Sequence, residues 1–436
     1  MSQTQTAPII WYRPLAPVAF GWWPSAIIMS IVFISFRPFS TSALNDSGGD
    51  IVNQLGFGFL GLFCLLLIVR QISANAMAAF LTPAWLSMSV MLLISVMNAD
   101  DPMGAMRGMM FSVIVVLAAI TALALPRNMD DLTSILATAG LTAVAACYLA
   151  VFLFPDQGMH AGGGHEAQHA GLWRGVYDHK NVAGSVMAAF VLIGWFVARN
   201  GRPLAGLVLA AAAFVFVLQA GSKTVLIILP AAILCAWVVR WADWAVAKVL
   251  ILLVPILVLS VATLGAVLHP PILDILQSYS PGLTYTGRID LWVFGIDHLA
   301  KSPWVGYGYE SFWGTSRVAK IELPMELAWD VRGSGSGHNS WLDGAIGFGI
   351  PGTVLMALIL VVLPVRDYLR IPTSGNAGKL AHLFLTIWIL TLFGSNLESF
   401  FFRRADPVWF CMILAIIGLR LTAHMSINHT HAPMNR

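Results

Sequence analysis

The sequence predicts an all-α membrane protein, a polytopic bundle of about twelve spans with one long loop outside it. Three observations predict this. Of the 436 residues, 58% are hydrophobic and only 10% are charged, against about 25% charged in an ordinary soluble domain. Mean hydropathy is +0.79. Apolar runs near the ~20 residues that cross a bilayer recur down the whole chain. They centre near Ile28, Gly61, Met88, Val115, Val144, Phe190, Ala211, Ile228, Ile256, Ala357, Trp388 and Leu414. A surface so poor in charge would not stay monomeric in water, which excludes a soluble globular enzyme.

The first five runs fall in residues 1–154 and the next four in 155–268, which also hold a His-rich outer loop. Residues 269–339 form a long outer loop, and 340–436 carry the last three runs. The runs around Ala211 and Ile228 are separated only by "QAGSKT". No cleavable leader pattern is expected, because the first apolar run is long and no small-residue cleavage site follows it. Cys64, Cys147, Cys235 and Cys411 lie in or beside apolar runs without a C-x-x-C partner, as small packing residues do. The net charge of +3 comes from 24 scattered basic residues, not the footprint of a nucleic-acid binder.

Basic residues set orientation. With both termini inside, Lys and Arg of the inner loops (Arg70, Arg127, Arg199, Arg202, Arg240 and Lys248 among them) outnumber those of the short outer loops. Within the long loop, Ile289, Trp292, Val293, Ile296 and Leu299 keep the spacing of an amphipathic helix, with Asp290, Asp297 and Lys301 opposite. We read it as lying on the outer membrane face. The run "SPWVGYGYESFWG" after it is rich in turns and aromatics.

Cations near the outer ends of spans break the orientation bias and call for a reason. Arg174, Lys180, Lys223, Arg288, Arg403 and Arg404 are placed this way. Snorkelling to headgroups explains some, Arg403 and Arg404 beside Asp406 being the plainest case. Lys223 sits between closely spaced apolar runs and needs an anion. Arg288 heads the amphipathic helix, where an ion pair with Asp290 or Asp297 is the plain alternative. Lys180, in "YDHKN", stands at a helix start that Asp178 or Asn181 could cap. A cation there opposes the helix dipole, so it should face an anion or carboxylate. "GSKT" is no P-loop, because the upstream glycine and the strand-to-helix setting are missing, and "GYGYES" lacks the third glycine of a dinucleotide fingerprint. His160, His165, His169, His179 and Glu166 fit no zinc signature, and a glycine run makes their loop a mobile polar one. No metal is expected.

The most distinctive stretch is "GSGSGHNSWLDGAIGFGIPG". A Gly/Ser run ends at His338-Asn339, and a helix follows with Asp343 in its first turn. His338 stands at the mouth of the bundle among several cations, a setting that suits an acid or base. "HNSWLDGAIGFGIPG" has the form His-Asn, nine residues, Gly-x-x-Gly. It resembles the signature loop of the O-antigen ligase and polysaccharide polymerase superfamily. "TGRIDLW…SPWVGYGYESF" is similar to the same family's segment ahead of that histidine, and "GSKT" stands where the family usually has Ser-Arg. "HKN" before a helix and the late "NLESFF…W" resemble the exopolysaccharide polymerase-like branch. The resemblance runs from about Arg174 to Trp409.

The resemblance implies a GT-C-like inverting glycosyltransferase of the bacterial inner membrane, active on the periplasmic face without metal, nucleotide sugar or other cofactor. Its donor would be an oligosaccharide on undecaprenyl pyrophosphate, and its product an exopolysaccharide. A flippase and a chain-length regulator of the same pathway are the partners it suggests, besides the lipid bilayer. His338 takes the place of the catalytic base, and Arg288 and Lys223 those of the pyrophosphate-holding cations. Lysine cannot grip phosphate bidentately as arginine does. Arg174 and Lys180 join the cation set. Asn339, Tyr307, Trp313 and Glu398 are assigned to substrate. The aromatic run from Trp304 to Trp313 offers faces for sugar stacking, or else an interfacial belt. A ligase moving a finished glycan to another acceptor shares fold and site. A transporter or flippase of lipid-linked glycans is the reading from another class. It needs a polar passage to both faces, whereas the unusual polar residues here gather on one.

Overall fold

The computed structural model describes residues 21–39, 50–72, 77–78, 80–161, 169–279, 285–322 and 330–424. Twelve apolar helices occupy the predicted runs. Among the described residues these twelve are α1 (Trp23–Ile34), α2 (Ile51–Gln71), α3 (Pro83–Met97), α4 (Pro102–Ala124), α5 (Met129–Leu153), α6 (Lys180–Arg199), α7 (Pro203–Ala220), α8 (Lys223–Trp241), α9 (Ala245–Leu268), α12 (Ser340–Tyr368), α13 (Gly375–Gly394) and α14 (Pro407–His424); the long loop between α9 and α12 adds two more helices, α10 (Pro270–Tyr279) and α11 (Arg288–Leu299). Of these, 10 are long and apolar enough to cross a bilayer, while α1 and α3 are shorter. The chain is an all-α polytopic membrane bundle.

Local chemistry sets the helix starts. Asp50 accepts hydrogen bonds from the amides of Val52 and Asn53 ahead of α2, and Asn128 from that of Asp131 at α5. The tightest pair is α6 with α7, where Gly194 and Gly206 face each other's helix so closely that a methyl group on either would strike backbone. Helices α13 and α14 are the most enclosed of the spans. The four cysteines are buried and unpaired.

The two ends of the bundle differ. At one, Arg202 pairs with Asp130, and Asp367 gathers Arg366, Arg420 and His424. At the other, the connections interlock. Arg317 forks onto Asp100, Arg404 pairs with Glu310, and the Asn98 amide donates to the Gly306 carbonyl at 3.1 Å.

The long loop is bolted to α12 by backbone. Pro351 has no N–H to give Gly347, and Gly349 leaves helical geometry at φ 69°. The amide of Ile350 turns instead to the carbonyl of Pro303 at 2.7 Å, the amide of Tyr307 donates to Ile346 at 2.7 Å, and Ser95 Oγ donates to Gly347 at 2.7 Å. Gly306, at φ 67°, lies so close to Ile346 that no side chain fits. The glycines of "VGYG" and "GFGIPG" therefore serve one another.

Helix α11 corrects one expectation. Its apolar spacing predicts a helix resting on the membrane surface, but Leu291 and Trp292 have 0% exposure and Gly295 is buried against α12, while Val293 is exposed. Its inward face is Leu291–Trp292–Gly295, one position off the stripe read from spacing. It is α10, directly after the span α9, that buries none of its residues.

Candidate functional site

The site is built where the start of α12 meets the turn between α13 and α14. Asn339 caps α12, its Oδ1 accepting from the amides of Trp341 and Leu342. Its Nδ2 donates to the Asn396 carbonyl at 2.9 Å, and its amide to Ser399 Oγ at 3.0 Å. Ser340 donates its hydroxyl to the Glu398 carbonyl at 2.8 Å and accepts from the Phe400 amide at 3.0 Å. "HNS" and "SNLESFF" are thus zipped together, 57 to 60 residues apart in sequence.

This zipper aims two side chains at each other. His338 adopts a left-handed backbone, φ 49°, uncommon for a residue with a side chain. The turn before it is clamped. Gly337 accepts from Trp292 Nε1 at 2.9 Å and donates to Asp343 Oδ1 at 2.9 Å, and that carboxylate also takes Trp313 Nε1 at 2.8 Å. The His338 ring then meets Glu398, with Nδ1 3.1 Å from Oε2.

Glu398 is the hub. Its Oε1 accepts from Arg288 Nη2 at 2.7 Å and from Asn181 Nδ2 at 2.6 Å. Arg288 heads α11 behind Gly287, whose φ of 82° turns the chain into the helix. Its Nε is buried without a hydrogen-bond partner. Burial pushes the Glu398 carboxyl up, but the Arg288 guanidinium and the hydrogen bond from His338 outweigh it and hold the group down at about 2. Glu398 is therefore a carboxylate at physiological pH. The ion pair with Asp290 or Asp297, set out above as the plain alternative for Arg288, is replaced by this one.

The start of α6 adds to the same wall. His179, not Asp178 or Asn181, is its cap, with Nδ1 accepting from the Asn181 amide. Burial lowers the His179 ring to about 4, so it is neutral. Lys180 is buried, its amide held by His160 Nε2 at 3.0 Å, and it stands within electrostatic reach of Glu398 and Lys223. Lys223 is the exposed first residue of α8, after Gly221 and Ser222. A cavity lined by Ser185, Ser222, Thr224, Leu390, Thr391 and Glu398 runs from the hub between α6, α8 and α13.

The other expected residues divide. Arg174 is spent on the carbonyls of Gln157 and Asp178, as a brace of its own loop. Asn339 is fully buried, so it shapes the site rather than faces it. Trp313 is 8% exposed and packs with Phe294 and Phe312. Tyr307 donates to the His298 carbonyl at 3.0 Å beneath the Arg317 guanidinium. These two rings pack into the loop's own core, Trp313 buried and Tyr307 half-buried. His160, expected in a mobile loop, is 3% exposed and rings with His169 and His179 at 5.0–5.7 Å. His165 and Glu166 lie outside the described residues. Sequence reasoning missed Asn181 as a Glu398 partner and Asp343 as the clamp of the His338 turn; a polar residue one step into a helix gives no hint of a partner 217 residues away.

With an imidazole, a carboxylate and several cations at one end of a bundle, the arrangement suits proton abstraction from a hydroxyl beside an anionic leaving group. Comparison with known proteins agrees in kind. Residues 207–357 match the family model described as O-Antigen ligase, a narrower stretch than the resemblance first traced. Over 87 residues the chain is 31% identical to the Exopolysaccharide production protein ExoQ of Rhizobium meliloti (strain 1021), a match covering 20% of this chain and 20% of that protein. The segment similar to the O-Antigen ligase family model holds Lys223, Arg288 and His338.

Proposed function

We propose that this protein is a glycosyltransferase that joins undecaprenyl-pyrophosphate-linked oligosaccharide repeats into an exopolysaccharide, by inverting transfer on the periplasmic face of a bacterial inner membrane. Both termini are then cytoplasmic, as the basic residues of the short loops favour. One observation carries the reading: His338 and Arg288, both from the long loop, converge on Glu398. Three cations, Lys180, Lys223 and Arg288, are each the first residue of a helix. A cation there opposes the helix dipole, and a diphosphate relieves the conflict.

The acceptor hydroxyl gives its proton to His338 as its oxygen bonds to C1 of the donor sugar. The bond from C1 to the phosphate oxygen breaks, and the diphosphate leaves with the electron pair toward the cations. A retaining route needs a carboxylate free to attack C1. Glu398 is committed to Arg288, Asn181 and His338, which favours single displacement with inversion. The same commitment, with the ring nitrogens of His160 and His179 taken by backbone amides, leaves few donors for a metal. EDTA should leave the rate unchanged, and inhibition reversed by a divalent ion would reopen the His loop as a metal site.

The deciding experiment incubates purified protein with a lipid-linked repeat and reads products by size. A ladder is expected. A single transfer onto an added acceptor, without a ladder, would favour a ligase, the reading that the matched family's description supports. No turnover in detergent would favour transport. Lys223→Arg should keep activity and Lys223→Ala reduce it, measured as polymer per unit of inserted protein. A well-expressed but inactive Arg variant would remove Lys223 from the diphosphate site.

A further inference from the structure

We propose that Glu398 is a positioning residue rather than a sugar-binding one: it fixes the tautomer and aim of the His338 ring and holds Arg288 beside it for the diphosphate. The inference rests on the reading above, with His338 as base.

A carboxylate can only accept hydrogen bonds. The His338 nitrogen 3.1 Å away, Nδ1, must therefore be the one that carries hydrogen. A neutral imidazole has a single N–H, so its lone pair lies on Nε2, which becomes the base. The backbone leaves little freedom to swap the two. His338 is held at φ 49° between the clamped Gly337 and the capping Asn339. Glu398 is equally fixed, its carbonyl tied to Ser340 and its Oε1 shared by Asn181 and Arg288. A sugar hydroxyl has no vacancy on Oε1 without displacing one of them.

When Nε2 takes the hydroxyl proton, the imidazolium forms beside this carboxylate, which offsets its charge, as the buried aspartate does in a Ser-His-Asp triad. The proton stays on the ring until solvent removes it. Arg288 spends Nη2 on Glu398 and keeps Nε, buried and unpartnered, for a phosphate oxygen. The charged and titratable groups facing Glu398 are Arg288, His338, His179 and Lys180, with Lys223, His160 and Asp178 behind them.

The test compares wild type, Glu398→Gln, Glu398→Asp and His338→Ala as purified full chains. The probe is the lipid-linked oligosaccharide extracted from a strain deleted for this chain. Glu398→Gln should lower kcat by about 10²-fold or more, leave the donor KM near wild type, and move the acid limb of the pH profile to lower pH. Glu398→Asp should recover part of kcat. A Gln variant with wild-type kcat and acid limb, or one altered in KM alone, overturns the inference; if His338→Ala is still inactive, the polymerase reading survives. An active His338→Ala enzyme brings down both. Should the Gln variant fail to accumulate, Glu398→Asp decides: a lowered kcat at unchanged KM supports positioning, and wild-type kinetics refute it.

Discussion

Replacing His338 by alanine is expected to leave an inserted, folded protein that makes no polymer. Removing a general base costs about 10²–10⁴-fold in rate, enough to take a slow polymerisation below detection. Folding should survive. Alanine and histidine share the strain of the left-handed backbone at this position. Glu398 keeps Arg288 and Asn181, so no carboxylate is stranded. Product size on a gel, beside the melting temperature of the detergent-solubilised variant, checks both halves. Chain lengths near normal would refute the base role.

Arg288→Ala should be nearly as damaging, and for two separable reasons. It removes a preorganised cation from the leaving group, a loss of about 10²–10³-fold where one such donor has been deleted. It also leaves the enclosed Glu398 without its counter-charge, and unpairing a buried ion pair costs about 3–5 kcal/mol, an upper bound for a partly screened pair such as this. Arg288→Lys should retain some activity and most stability. The double variant Arg288→Ala/Glu398→Gln should regain stability without regaining transfer. Thermal melting and turnover on the same preparations tell the two effects apart. A fully active Ala variant would exclude Arg288 from the site.

Glu398 also ties pH to stability. Its folded carboxyl lies at about 2, below the 4.5 of an ordinary glutamate. The stabilisation is present above the higher value and lost as pH falls from there toward 2. Near neutral pH the Arg288–Glu398–His338 cluster is intact.

The bundle was legible because hydropathy reports removal from water, which a spanning helix achieves whether its neighbour is lipid or protein. That indifference is why α11 was misplaced. Periodicity located the helix over Ile289–Leu299, but Trp292 gives no sign that its partners are Gly337 and α12 rather than lipid. Cost made the site partly legible: Lys180, Lys223 and Arg288 are expensive where they stand, and His338 follows a distinctive Gly/Ser run. Their convergence was not legible. Glu398 lies 60 residues from His338 and 110 from Arg288, and no local rule links such positions. Tyr307 and Trp313 show the converse, because aromatic residues in a loop look alike whether they await a sugar or plug the loop's own centre.

The backbone seam between Pro303–Tyr307 and the broken turn of α12 works as a ruler. It counts residues, not side chains, since Trp304 and Val305 within it are exposed. Changes of identity at Trp304 and Val305 are cheap, whereas inserting or deleting one residue would throw both amide pairings out of step and tilt the helix that carries His338 at its head. Length, together with the glycine at 306, is what this stretch of chain has to preserve.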